Sequence, residues 1–505
     1  MSERFSIALA GSYNTRVSET NTLSSASGIV GLGVVGTMIV GATVQSTDKD
    51  QRFLNCYTET VMNSYTGKRT LYCTKRPGWA ALNTPASGNI GTAIMVWTGQ
   101  GTGTKVISAF GGTNSTIYDS TASLGAITGK ATKITETFVG TTATLVISSS
   151  DSTAWYYDVA TGAATKITDA DFPGNASLTL AGTFAHLDGY ACILDTAGTL
   201  WNSDLNSMTA WTATSSIAAN SYPDKGVGLV RWRDKIMAMG SESTQFFYNA
   251  GNPTGSPLSR IESMTLRVGC VAADAIAQVE DAVYWCGSSP QGGLSIYEYG
   301  GAGLKTISKP EIDRILVLAG AANISMTAVK IYGRNFIIVN ASSVTFVCCI
   351  EENYAWHEWN STVRLWYKCA GVSSGGTQVV YAVSDKATTG KVYTVNPSSI
   401  VYQDDGGAFT ARIQTSKLGE GGRRVFWEEV ELLGDQQTAA STTTIAYSDD
   451  DYQTYTTLGT VDLSASRPRL HRAGSSYRRA WAITNAANTA MRLEALIGRR
   501  SMGTG

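Results

Sequence analysis

Short runs of β-branched and aromatic residues alternate along this chain with turns rich in Gly, Ser, Thr and Asn. Period-2 alternation and buried apolar runs of strand length dominate, and 3.6-residue periodicity is scarce. From Trp97 to about Tyr402 one unit recurs: a hydrophobic run, a turn, then an aromatic-centred strand. The hydrophobic runs are Lys105–Phe110, Thr144–Ile147, Gly189–Leu194, Lys235–Met239, Ala282–Trp285, Asn335–Asn340 and Gln378–Val383. The aromatic strands are Thr116–Asp119, Ala154–Asp158, Leu200–Asp204, Gln245–Asn249, Ser295–Tyr299, Tyr354–Glu358 and Lys391–Thr394. A single four-stranded unit of this kind cannot bury both faces, whereas radial stacking in a closed ring can, and closure removes free sheet edges. The pattern predicts an all-β fold built on a β-propeller of about six to eight blades, with seven favoured.

Beyond Tyr402 the texture changes. Phe409–Lys417, Arg424–Leu433, Thr442–Ser448, Arg478–Thr484 and Arg492–Ile497 read as strands of a C-terminal β-sandwich. Strands near Gln51–Thr58 and Arg69–Cys73 give the N-terminal region a β-rich arm and platform. The expected division is 1–92, 93–405 for the propeller, and 406–505 for the sandwich. Pro310–Leu318 is the best helix, with proline in its first turn and acidic residues at the positive end of its dipole.

Composition narrows the function. In 505 residues there are 39 Lys plus Arg against 40 Asp plus Glu, a net charge of −1, so a coat that grips phosphates along its whole surface is excluded. The eight cysteines contain no C-x-x-C pair and are sparse for a disulfide scaffold, which predicts buried free thiols in a reducing cytoplasm. No secretory signal is read at the N-terminus. Gly28–Val44 is uncharged and apolar, but shorter than the ~20 residues of a membrane span and broken by glycines. A glycine-punctuated hairpin is expected there and no stable membrane span.

Catalytic motifs are few. Gly31–Gly36 matches G-x-G-x-x-G without the following helical period that a dinucleotide site needs. The three histidines, His186, His357 and His471, lie far apart in the sequence and outside zinc-protease patterns. The carboxylates cluster as neighbours, at Glu351-Glu352, Asp404-Asp405, Glu428-Glu429 and Asp449-Asp450-Asp451, and neighbours in a strand point to opposite faces. Ser448–Tyr455 resembles an Asp-box hairpin with Tyr452 in place of the glycine, a structural turn. No catalytic, cofactor or metal site is expected. Arginines, by contrast, crowd the C-terminal region, and Arg423, Arg424, Arg472, Arg478 and Arg479 form a candidate docking face.

Four stretches carry a resemblance. Asp48–Glu59 holds Gln51, Arg52, Asn55, Tyr57 and Glu59 in the pattern Q-R-x-x-N-x-Y-x-E, followed by Arg76, Pro77 and Gly78. Gly240–Gly251 contains S-E then F-Y and G, with Tyr248 and Gly251. Val268–Leu316 holds Tyr284, Trp285 and Gly287, then Gly293 and Tyr297, then an I-S-x-x-x-I-D run. A Y-S-D-D hairpin and the arginine-rich strand Tyr477–Ile483 complete the set. In their order these resemble the tail hub or nozzle proteins of short-tailed bacteriophages, the packaged-DNA stabilisation proteins.

The resemblance implies a structural virion protein of the tail, assembled in the bacterial cytoplasm as a homo-oligomer, a hexameric ring. It implies a portal-adaptor partner above, tail fibres, a spike or a needle docked on it, and transient contact with packaged double-stranded DNA. A propeller carbohydrate-active enzyme and a host-glycan adhesin are the alternatives. The first needs carboxylates from several blades converging on the channel, and the second needs exposed platforms such as Trp201 and Trp211.

Overall fold

The computed structural model describes residues 2–9, 52–62, 69–98, 104–289, 292–361, 368–374, 377–385, 388–419 and 422–503. Gly28–Val44 and Gln51 lie outside them. The chain divides into two compact units: one formed by Met1–Ala80, Phe346–Ser361 and Ser399–Gly505, the other by Ala81–Thr345 and Thr362–Ser398.

The second unit is the propeller. Antiparallel four-stranded sheets run over 91–127, 226–260 and 276–306. An eight-stranded sheet consists of two four-stranded meanders, 131–166 and 180–218, joined where Val139 meets Ser207. Another sheet combines Lys368–Ser374, Thr377–Val383 and Val392–Val395 with Ala80–Asn83, a strand from far earlier in the chain. Ile324–Ile331 and Arg334–Ala341 pair over their full length. The first strands of these arrays neighbour one another in sequence order: Gly91–Trp97, Ala131–Val139, Leu180–Leu187, Gly226–Trp232, Ile276–Val279 with the turn before it, Ile324–Ile331 and Lys368–Ser374. The last returns to the first, closing the circuit.

The hydrophobic runs read from the sequence are the second strands, and most of the aromatic segments are the third. The packing shows why both are apolar. Ile107, Ala109 and Ile117 of one array share a core with Ile134, Leu145 and Ile147 of the next. Leu229, Ile236 and Phe247 likewise pack on Leu187, Cys192 and Leu194. Each sheet is therefore buried on both faces, as radial stacking requires. The helix forms over Pro310–Ala319, burying Ile312 and Leu316 one turn apart.

The first unit differs from the expected division. Strands read as an N-terminal region and strands read as a C-terminal domain share sheets: Ser2–Ala8 pairs with Arg492–Met502, which also pairs with Val425–Gly434 and with Arg69–Lys75. A second sheet runs through Arg52–Leu54, Ala411–Gln414, Arg478–Asn485, Thr442–Ser448 and Thr456–Asp462. One core lies between them, with Phe53, Ile413, Ile445, Trp481 and Ile483 meeting Phe5, Trp427, Val430 and Leu496. The aromatic strand Ala355–Trp359 also belongs to this unit, where Leu54 aligns with Glu358 in parallel. Strand pattern reports burial on both faces but not which sheet supplies the burial, so the pattern groups sequence neighbours where the fold groups distant segments.

The cysteines at 56, 73, 192, 270, 286, 348 and 349 are buried and free. Burial pushes the Cys192 and Cys270 thiols up to about 12, which keeps them protonated and unreactive. No helix among the described residues is long and apolar enough to cross a membrane.

Candidate functional site

The motif residues of the first stretch build a buried polar hub in the first unit. Asn55 sits between two strands in the left-handed region (φ 55°), a conformation asparagine tolerates. Its Oδ1 accepts from Arg76 Nε and the Asn360 amide, both at 2.9 Å. Its Nδ2 donates to Asn360 Oδ1 at 2.7 Å and to the Thr410 carbonyl at 2.8 Å. Arg76, with no exposed side-chain surface, forms a two-pronged pair with Asp404 at 3.0 and 2.6 Å and lies over the Phe409 ring at 3.9 Å. Pro77 offers its carbonyl to the same guanidinium. A Cβ on Gly78 would come within 2.1 Å of the Gln403 carbonyl oxygen, so only glycine lets these backbones approach. Tyr57 is buried, Arg52 is exposed, and Glu59 accepts from Thr74 and Arg492.

Lys75, beside this hub, is 1 % exposed and donates to Asn485 Oδ1 and the Ala487 carbonyl. Burial lowers its pKa from 10.5 to about 8. The unfolded chain therefore binds the extra proton between about pH 8 and 10.5, and this residue's contribution to stability rises with pH across that window. Denaturation midpoints measured from pH 7 to 10 should climb in the wild type relative to Lys75→Met; parallel curves would remove the assignment.

The propeller motif residues are structural as well. Tyr284 donates to Glu298 at 2.9 Å. Trp285, fully buried, donates from Nε1 to the Gly269 carbonyl at 3.0 Å and stacks on Tyr297 at 6.0 Å. A Cβ on Gly287 would sit 2.4 Å from that same carbonyl. Gly251 and Gly293 turn the chain at φ 66° and 87°, and Tyr248 is half-exposed.

The arginines separate into two groups. Arg423, Arg424, Arg472 and Arg478 are exposed, and among the described residues none has a carboxylate within ion-pair distance. The exposed rings of Phe426 and Tyr477 adjoin them in the chain, and the Arg424 guanidinium lies 5.9 Å from the Phe426 ring. Arg479 does not belong to this face. Its side chain is 1 % exposed, pairs with Asp449 at 2.7 Å and lies 3.7 Å over Tyr447, with Trp481 beside it. Strand alternation explains the correction: Arg478 points outward, so Arg479 points into the core.

Elsewhere the outer face is ion-paired. Glu431 binds Arg467 at 2.6 Å, and Arg467 holds the Glu431 carboxyl below its ordinary range. Glu429 lies 3.3 Å from Arg469. Asp450 accepts from Ser448 and from the Thr454 amide and hydroxyl, which lowers its pKa to about 2, while Asp451 and Tyr452 take up φ 66°. This is the Asp-box turn, with two non-glycine residues accepting the left-handed conformation. Asp404, Asp449, Asp450 and Glu429 are thus occupied by structural partners. No group among the described residues could hold a metal ion.

Residues 59–400 match the family model described as Bacteriophage P22 Gp10, beta-propeller. The chain belongs to that family. The Gp10 family places it among bacteriophage structural proteins and in the virion. A comparison with curated proteins returns no match. Among solved structures, BamB from Moraxella catarrhalis aligns at 10 % identity and TM-score 0.36, covering 70 % of this chain and 97 % of that one. BBS1N in complex with ARL6DN aligns at 11 % and 0.40, covering 64 % and 98 %. The N-terminal domain of Nup159 aligns at 10 % and 0.38, covering 68 % and 98 %.

The sequence reading missed the Arg76–Asp404 pair. Both residues were visible, one before Pro-Gly and one in an Asp-Asp step, but 328 positions separate them and neither carries a mark of burial.

Proposed function

We propose that this Gp10-family protein is the tail nozzle, or hub, of a short-tailed phage, with a seven-bladed propeller and a hexameric ring of subunits. In that role it extends the tail tube below the portal adaptor, helps retain packaged DNA, lets it pass during ejection, and anchors fibres, a spike or a needle. The family match over residues 59–400 carries this reading. The charge supports it: a chain of net charge −1 does not grip sliding DNA along its whole surface.

The exposed arginines 423, 424, 472 and 478 are the proposed docking face. Arginine beside exposed aromatic rings is the composition of a protein interface, and guanidinium groups with no carboxylate in ion-pair distance among the described residues are available to carboxylates of a neighbour, although Arg424 Nε also donates to Ser475 Oγ at 3.0 Å. Cryo-electron microscopy of particles should place this chain as a sixfold ring at the end of the tail; particles lacking the chain would refute the reading. Arg424→Glu/Arg478→Glu should fold normally, because both side chains are exposed, yet enter particles at least about tenfold less. Unchanged incorporation would remove the docking face while leaving the nozzle assignment intact.

A further inference from the structure

The ring of arrays has one closure that chain continuity does not secure. From 91–127 to 131–166, 180–218, 226–260 and 276–306, the chain runs from the last strand of each array into the first strand of the next. Those junctions are held by covalent connection as well as by packing. The array of Lys368–Ser374, Thr377–Val383 and Val392–Val395 meets the start of the propeller differently. Its fourth strand is Ala80–Asn83, which the chain connects onward to the 91–127 array and not back to Val395. The contact of 368–395 with 81–127, inside the second unit, is thus noncovalent.

Three observations describe this closure. First, its ladder is short: Ala80–Asn83 has four residues, and Leu82 is 49 % exposed. Second, besides that ladder, three backbone bonds cross it among the described residues. The Gly91 amide donates to the Ser384 carbonyl at 2.6 Å, Ala86 to Gly390 at 3.2 Å, and Gly390 to Asn89 at 3.0 Å. Third, its apolar core, with Ala86, Phe110, Val383 and Val392 buried, encloses two hydroxyls. Ser108 lies between Val106 and Phe110 and pairs with Ile94 and Tyr118, all members of that core. Thr394 shares a face with Val392 and pairs with Tyr381. Ser108 Oγ and Thr394 Oγ1 have no hydrogen-bond partner among the described residues. An enclosed hydroxyl regains hydrogen bonds to water when its surroundings part, so both favour opening.

We propose that this closure is a latch, at which the propeller opens while the rest of the ring stays folded. Opening peels Val392–Val395 from Ala80–Asn83, breaks the three crossing bonds and brings water to Ser108 and Thr394. Sub-global openings of this kind lie below global unfolding in free energy and are drawn from the least secured elements of a fold. The inference does not depend on the nozzle reading.

The junction of 131–166 with 180–218 supplies an internal comparison. It too encloses two hydroxyls without partners among the described residues: Thr135, paired with Val146, and Ser148, two positions along the same face. There the chain crosses the junction, and the two arrays share one sheet. Those hydroxyls stay enclosed when the latch opens and meet water only on global unfolding.

Native-state hydrogen exchange of the full chain, followed by mass spectrometry in rising urea, tests the latch. Peptides covering Gly91 and Val392–Val395 should lose protection in a step below the global transition. Lys235–Gly240, buried between two arrays, should exchange only in the global step. Ser108→Ala/Thr394→Val removes both latch hydroxyls at nearly constant shape and should slow latch exchange roughly tenfold or more. Thr135→Val/Ser148→Ala should slow exchange of Lys235–Gly240 and leave latch exchange unchanged. The proposal fails if the latch peptides exchange only in the global step, if the first double variant does not slow them, or if the second slows them equally.

Discussion

Asp404→Ala is expected to destabilise the first unit by about 3–5 kcal/mol, the cost of leaving a buried guanidinium without its counter-charge. Arg76 has no exposed surface, and Asp404 supplies both oxygens of the pair and accepts the Trp79 amide as well. Asn55 Oδ1 and the Pro77 and Asn360 carbonyls, which also accept from Arg76, are neutral and do not replace the carboxylate. Urea denaturation followed by tryptophan fluorescence should detect the change, since Trp79 and Trp359 flank the site. Removing both partners with apolar residues, as Arg76→Met/Asp404→Leu, should recover much of the loss, because no uncompensated charge then remains. A single-variant loss under about 1 kcal/mol would mean that water reaches the hub.

Trp285→Ala should cost the propeller about 3–5 kcal/mol, through lost apolar contact and the cavity left behind. Trp285 touches Tyr297 on one side and lies in the core that joins the 226–260 and 276–306 arrays, with Phe246, Met237 and Val283. Trp285→Phe keeps most of the volume but strips the Gly269 carbonyl of its buried donor, a loss of about 1–3 kcal/mol. Thermal unfolding of the three proteins should rank wild type, Phe, Ala in falling stability. Equal midpoints for Phe and wild type would show that the indole N–H contributes nothing.

The propeller was legible because its repeat is local. Each hydrophobic run and aromatic strand is complete within a few dozen residues, and stacking explains why Lys105–Phe110 or Ala282–Trp285 is apolar on both sides. The first unit was legible only in pieces. Arg69–Cys73 and Arg492–Ile497 each read as strands, yet nothing in either segment announces that they share a sheet. Charge was the hardest to place. Arg478 and Arg479 are identical in sequence, and only their alternate orientation sends one to solvent and the other onto Tyr447.

The interleaving of the two units has a consequence for synthesis. Among the described residues Ser2–Ala8 pairs with Arg492–Met502, a strand synthesised after every propeller strand. The propeller strands all emerge before that, so the propeller can ripen first. Ser2–Ala8 must wait for that partner through the synthesis of the propeller, and nascent chains stopped before Arg492 would present its edge to chaperones or to each other.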